Sequence, residues 1–288
     1  MSVLLPTVRG WPEIEKALAA SLRQDFAEAF EVLVLDGHGA GLDREPRPPV
    51  RWLREPGADV FRLRAVGVAA ARGDVVLLSE DHCVAPPDWY ARTSSAHREK
   101  VEPALIGPVR NHSASSRRAV DRANFALTLG SFAPPLESVP EGRLPVPTNL
   151  SFKSSILPRE TPDSGWLEYD LLARLANAGG LAVADALIEH LQNWKPAAAL
   201  SVHFHSGRSY GASVRQWAAG RRRMWWRSLP HTPRWLYRLS TPALRPGASG
   251  KSPSLADRAW LASLVLANVM GQAAGALTGV GASRTHLV

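Results

Sequence analysis

Over the first ninety residues, short apolar runs alternate with segments patterned at helical spacing. Ser2 to Leu5 reads as a buried strand closed by Pro6-Thr7. From Pro12 the apolar positions Ile14, Ala17, Leu18 and Leu22 fall three and four apart, which predicts a helix. Glu31-Val-Leu-Val-Leu35 predicts a second buried strand that closes on Asp36-Gly37, and Val50 to Leu53 a third. Residues 60–71 predict a helix stopped by Gly73, and Asp74 to Leu78 the next strand. Near-continuous apolar strands alternating with helices imply a mainly parallel sheet covered on both faces. In such sheets ligands bind beyond the carboxyl ends of the strands. Those ends are Pro6-Thr7, Asp36-Gly37 and Ser79-Glu80-Asp81-His82, and all three are polar.

Beyond residue 100 the pattern loosens. Ala104 to Val109 predicts a strand, 116–130 a helix, Thr148 to Phe152 a returning strand and Trp166 to Ala178 a helix stopped by Gly179-Gly180. The proline-rich stretch 132–148 reads as a loop or lid.

Charge divides the chain more sharply than hydropathy does. Residues 1–189 are mildly acidic, whereas residues 190–288 carry thirteen Lys/Arg against the single acidic Asp257. A boundary near residue 190 follows, with a basic part suited to polyanions. The single cysteine, Cys83, excludes an internal disulfide and fits a reducing compartment. No basic segment followed by a long apolar run opens the chain, so a cytoplasmic address is expected.

Glu80, Asp81 and His82 carry the clearest chemistry. Two carboxylates and an imidazole at a strand end can hold a divalent cation that bridges a diphosphate, and a solvated acidic turn is the plainer alternative. The order Ser2-Val-Leu-Leu-Pro-Thr7, Glu31-Val-Leu-Val-Leu-Asp36, Arg64-Ala-Val-Gly67, Ala71-Arg-Gly-Asp74, Glu80-Asp-His82 and Pro87-Asp-Trp89 resembles that of family 2 glycosyltransferases. The likeness continues at Thr148-Asn-Leu-Ser-Phe152 and Glu168-Tyr-Asp-Leu-Leu-Ala-Arg174, and so spans residues 2–190.

The resemblance implies a GT-A (Rossmann-like) α/β fold with a mixed, mainly parallel sheet flanked by helices, and the basic, Trp-rich region beyond residue 190 is expected to add a C-terminal helical extension. The resemblance also implies a metal-dependent, inverting transfer of a sugar from a nucleoside-diphosphate sugar such as a UDP-sugar. Residues 1–110 would bind the donor, 111–190 would form the acceptor side, and 191–288 the extension. Pro6 and Thr7 would border the nucleoside and Asp36 would accept from the base. Arg64 and Gly67 would lie near the diphosphate, although Ala65 replaces the family's usual Asn. Glu80-Asp81-His82 aligns with the family's Asp-x-Asp, with both outer positions changed. Glu80 and Asp81 would meet the donor and its metal, with Glu80 and His82 as metal ligands. Imidazole favours Mn2+ over Mg2+. Glu168 matches the catalytic carboxylate that takes the acceptor's proton, and Asp170 is the second candidate. Two residues apart on a helix, they would face different ways. Some members add a late histidine to the metal, and His203 or His205 would serve if Val-His-Phe-His is a strand. His38, His112 and His190 read as structural.

The extension interleaves Trp194, Trp217, Trp225, Trp226 and Trp235 with Arg208, Arg215, Arg221, Arg222, Arg223, Arg227 and Arg234. Tryptophan with arginine suits a membrane interface, a nucleic acid, or the core and solvated faces of C-terminal helices. The uncharged run from Ala259 to Ser283 favours membrane over nucleic acid, and no nucleic-acid partner is expected. Gly271, Gly275 and Gly279 form a ridge suited to close packing, and the run is expected either to dock on the protein or to lie in the interface, peripheral to the inner membrane. The acceptor stays open between a lipid carrier, a glycan and a small molecule. The rival reading is a non-catalytic protein of this fold that binds a sugar nucleotide or a membrane surface, supported by the altered metal motif and by Ala65.

Overall fold

The computed structural model describes residues 1–39, 47–140, 145–158, 167–220 and 253–286. The chain forms two compact units, one of residues 1–110 and 132–191 and the other of 111–131 and 192–288. The sequence places its boundary near 190, but residues 111–131 leave the expected acceptor segment and join the C-terminal part.

The first unit is a mixed α/β layer structure. Strands β1 (Ser2–Thr7), β2 (Glu31–Asp36), β3 (Val50–Arg54) and β4 (Val75–Leu78) run parallel in the order β3-β2-β1-β4. The short β5 (Cys83–Val84), β6 (Ala104–Ile106), β7 (Val109–Asn111), β8 (Leu150–Lys153), β9 (Leu181–Val183) and β10 (Ile188–His190) follow. The large sheet continues as β4-β8-β6-β9, and β8 is antiparallel to both neighbours. The sheet is therefore mainly parallel, as its buried runs require. Val3, Leu4, Val32, Leu33, Val34, Leu35, Leu105 and Leu150 have no solvent exposure.

Helices α1 (Glu15–Leu22), α2 (Val60–Ala70), α3 (Trp89–Glu99) and α5 (Leu167–Asn177) belong to this unit. Asp59 caps α2 by accepting from the Arg62 backbone N–H at 2.9 Å. The strand expected across 104–109 is instead two strands, β6 and β7, in different sheets. Gly107-Pro108 breaks it, because the chain there passes against the Asn149 side chain and the Ala186 carbonyl. That passage is held from the other side, since Asn149 Nδ2 donates to the Pro108 and Ala186 carbonyls at 2.9 and 2.7 Å.

The chain order reverses at β1. It proceeds outward through β2 and β3, then returns to place β4 on the other side of β1. Pro6 accentuates the opening there. The Leu4 carbonyl accepts from Ser79 N at 3.1 Å, so two residues on Pro6 also turns its nitrogen toward β4, where it has no hydrogen to donate. Pairing of β1 with β4 ends at Leu4, whereas pairing with β2 continues to Thr7. A crevice at such a switch point is where sheets of this kind receive ligands.

The second unit is helical, with α4 (Ala119–Thr128), α6 (Pro196–Gly220) and α7 (Leu255–Thr278). Val120, Ala123, Ala126 and Leu127 of α4 share one buried cluster with Ala199, Leu261, Leu264 and Val265. That apolar face is why α4 belongs here. Ser254 and Asp257 form a reciprocal capping box on α7. Val202-His-Phe-His205, considered above as a strand, is part of α6. Of the three tail glycines, Gly271 and Gly275 do pack, and α6 supplies matching ones, whereas Gly279 caps the end of α7 at φ 80° with nothing close to it. A Cβ on Gly271 or Gly275 would lie 1.9 Å from the Phe204 or Arg208 carbonyl oxygen. One on Gly207 or Gly211 would lie 2.0 or 2.1 Å from the Asn268 or Gln272 oxygen. These pairings advance together along both helices, so α6 and α7 run parallel at backbone contact. Residues 221–252, with Trp225, Trp226, Trp235 and Arg221, Arg222, Arg223, Arg227 and Arg234, lie outside the described residues, as do 141–144 of the expected loop.

Two outcomes follow from this packing. Gly275→Ala forces the helices apart and lowers stability by about 1–3 kcal/mol, the usual cost of overpacking. Thermal unfolding measures it, and an unchanged Tm would contradict the backbone contact. Burial, aided by the Lys153 charge, holds the His97 pKa at about 4, and burial alone holds His203 at about 4. Unfolded histidine titrates near 6.5, so below that pH the unfolded chain takes up protons that the folded chain refuses. Stability therefore falls as pH drops from about 6.5 to about 4, by up to roughly 3 kcal/mol per group. The His97→Gln/His203→Gln double variant should lose less stability between pH 7 and pH 5 than the parent in urea unfolding, and equal losses would refute the assignment.

Candidate metal centre

Glu80-Asp81-His82 leaves β4 at the switch-point crevice. The chain turns there at once, with Cys83 N donating to the Glu80 carbonyl at 3.0 Å and Asp81 and His82 at the centre of the turn. Glu80 and His82 turn toward one centre, and Asp81 turns back toward β1. Asp81 Oδ2 accepts from Thr7 Oγ1 at 2.8 Å, and Asp81 Oδ1 meets His82 Nδ1 at 2.6 Å. Thr7 in turn accepts from the Gly10 N–H at 2.9 Å. The ends of β1 and β4 are thus tied together through one carboxylate.

A third donor arrives from far along the chain. Strand β10 pairs antiparallel with β5, setting His190 opposite Cys83, and Leu191 N donates to the His82 carbonyl at 2.9 Å. The His190 and His82 rings then meet edge to face, with Nε2 to Nε2 at 2.8 Å. Glu80 Oε2 lies 3.4 Å from His190 Nε2 and 3.6 Å from His82 Nε2. All three donor atoms fall within 4.8 Å of one another.

Glu80 is anchored on its outer side as well. Thr148 Oγ1 donates to Oε2 at 2.9 Å, and Arg64 Nη2 lies 3.3 Å from Oε1. Burial raises the Glu80 pKa, but the His190 hydrogen bond and the charges of His82, His190 and Arg64 outweigh it, and the carboxyl stays well below its usual range. Asp81 is lowered likewise: burial is overcome by the His82 hydrogen bond, the His82 and Arg9 charges, and Thr7. Burial depresses His82 too, but Asp81 and Glu80 raise it above an ordinary histidine. His190 is pushed down, by burial first and then by the His82 charge. One imidazole of the pair therefore holds a proton more readily than the other.

One carboxylate and two imidazoles this close together could hold a divalent metal ion. The Asp81 contact orients His82 as carboxylate–histidine pairs do at metal sites, with Nδ1–H toward the carboxylate and the Nε2 lone pair toward the centre. His190 Nδ1 is buried with no hydrogen-bond partner among the described residues, so that ring is held from its Nε2 side alone.

The other residues singled out from sequence divide clearly. Pro6 and Thr7 border the crevice, and Thr7 acts on Asp81. Asp36 is buried and already engaged: Oδ1 accepts from His38 N at 2.8 Å, and Oδ2 lies 3.3 Å from Trp52 Nε1. Arg64 reaches the crevice, as its pairing with Glu80 requires. Gly67 faces the sheet instead, where a Cβ would meet Leu35 and Leu4 at 2.5 and 2.7 Å, so helix–sheet packing explains it. Glu168 and Asp170 open α5, and their side chains lie outside the described residues. His203 and His205 sit on α6 in the second unit, not on a strand. His203 Nε2 pairs with Asn124 Oδ1 at 2.6 Å and His205 Nδ1 with Ser283 Oγ at 2.9 Å, and neither joins a metal-ligating group among the described residues.

Sequence reasoning missed His190. Its neighbours Ile-Glu-His-Leu carry no metal-ligand spacing, and only the β5–β10 pairing reveals it. Arg9 was also missed; its guanidinium lies 3.6 Å from Asp81 Oδ1.

No family model matches this chain, and no curated protein does. Among solved structures it is similar to Staphylococcus aureus TarS 1–349 in complex with UDP-GlcNAc, at a TM-score of 0.47 and 15% identity over 67% of this chain and 59% of that one. A second TarS 1–349 structure gives a TM-score of 0.48 and 16% identity, covering 74% and 64%. The chain thus spans about three fifths of the length of these structures.

Proposed function

We propose that this protein transfers a sugar from a nucleoside-diphosphate donor, with a divalent cation held by Glu80, His82 and His190. The observation that carries the reading is the convergence of these donors at the switch-point crevice, within 4.8 Å of one another. The order of motifs from Ser2 to Arg174, which resembles family 2 glycosyltransferases, supports the choice of reaction.

When bound, the cation would supply charge to offset the negative charge that develops on the departing diphosphate. The chain's own residues do the rest. Asp81 holds His82 in one tautomer and ties it to β1 through Thr7. Arg64 and Thr148 fix the Glu80 carboxylate, and Arg9 offers a cation on the open side, where its side chain is 44% exposed. Pro6, Thr7 and Asp36 border the place for the nucleoside at the ends of β1 and β2. Glu168 serves as the base that accepts the acceptor's proton in an inverting transfer, with Asp170 as the second candidate; this role rests on the resemblance. Mn2+ suits the two imidazoles better than Mg2+, and a UDP-sugar is the first donor to try.

Calorimetric titration of Mn2+ with UDP tests the site. His190→Gln and Glu80→Gln should each weaken Mn2+-dependent UDP binding by at least about tenfold, and Asp81→Asn by about 10–100-fold as an orienting group. Retention of full Mn2+ dependence in His190→Gln would remove that residue from the set.

Glu168→Gln tests the reaction. It should lower turnover by about 10²–10⁴-fold while leaving donor binding intact. Donor binding without turnover in the parent protein, against any acceptor tried, would favour the non-catalytic sugar-nucleotide binding protein.

A further inference from the structure

The face of α7 turned away from α4 and α6 is apolar along its whole length. Positions 255, 259, 262, 266, 270, 273 and 277 are all exposed, and they are three leucines, three alanines and Met270. The large ones stand well out, with Leu255 84%, Leu266 61%, Met270 57% and Leu277 68% accessible. A water-facing helix surface ordinarily carries charged or polar residues at these positions. Here the stripe runs about 33 Å at 1.5 Å per residue.

Three further observations say what covers it. The spacing averages about 3.7 residues, near the helix's own period, so the stripe runs straight and does not follow the 3.5-residue seam of a coiled coil. Among the described residues, an arginine stands at each end of it. Arg258 is exposed near the N-terminal end, and Arg215 Nη1 donates to the Leu277 carbonyl at 2.9 Å at the other. The only acidic residue between 190 and 288, Asp257, is buried and paired with Arg122 at 2.6 Å, against thirteen Lys/Arg in that span. Finally, the helix cannot surround itself with lipid. Its opposite face is docked on α4 and α6 and buries Asp257 and Gln272, although α7 is long and apolar enough to cross a membrane by length and composition.

We propose that α7 lies in the plane of an anionic lipid surface, its apolar stripe entering the acyl boundary and its flanking arginines meeting the headgroup phosphates. Helices with one apolar face and a cationic border bind bilayers in this way. Each arginine near such a surface adds to the attraction, and the attraction is screened by salt. This inference is independent of the sugar-transfer reading and survives its failure.

Flotation of the full-length protein with vesicles tests it. The protein should float with phosphatidylcholine vesicles containing phosphatidylglycerol and much less with phosphatidylcholine alone. Leu266→Gln/Met270→Gln should reduce that binding on the order of tenfold, without adding charge and with unchanged circular dichroism. An environment-sensitive fluorophore on Ala273→Cys should shift to the blue with anionic vesicles, and one on the exposed Glu99→Cys of the first unit should not. Equal flotation of the double variant, or no shift at position 273, would overturn the proposal. So would a dimer in light scattering that the double variant dissociates while the parent ignores vesicles, since a second copy would then cover the stripe.

Discussion

The antiparallel pairing of β10 with β5 sets His190 opposite Cys83 and delivers the Leu191 N–H to the His82 carbonyl. Without it, the β4 end would present a carboxylate and one imidazole to solvent, a common and chemically weak arrangement. With it, two imidazoles and Glu80 converge from residues 108 positions apart in the chain. The pairing is short, so its geometry depends on what surrounds it. Asn149 supplies part of that, holding the Pro108 and Ala186 carbonyls together just before β10 and accepting from Trp89 Nε1 at 3.1 Å.

A second constraint acts from β1. Pro6 ends the ladder with β4, and Thr7 spans the resulting gap to Asp81. The residue that opens the crevice and the residue that bridges its floor are therefore adjacent. Glu80 at the centre is buried enough to need compensation, and it receives it from Arg64, Thr148 and both histidines. Such a cluster is costly when any one member is lost, because the remaining charges stay buried.

The helical unit follows a different logic. Four glycines, two on each helix, let α6 and α7 touch backbone to backbone, and that contact fixes which face of α7 turns outward. Two polar residues of α7 are buried: Asp257 pairs with Arg122 and the N-cap, and Gln272 donates to Asn268 one turn back. Leu261 and Leu264 are buried with them, whereas Leu255, Leu266 and Leu277 go outward, where an ordinary surface helix would carry polar residues.

The sequence by itself determined the alternating elements, the polar strand ends, the sign of the C-terminal charge and the pairing of Glu80 with His82, because each depends on local periodicity or on neighbours within two or three residues. It also exposed the glycine ridge on α7. Only the tertiary structure decided that His190 joins Glu80 and His82, that Asp81 faces β1, that Gly67 serves packing against Leu4 and Leu35, that α4 belongs with the C-terminal helices, and that His203 and His205 lie on a helix with other partners. Those outcomes rest on contacts between residues distant in the chain. Strand register, helix crossing and the direction of a buried side chain are set by how whole elements pack, and no local pattern encodes them.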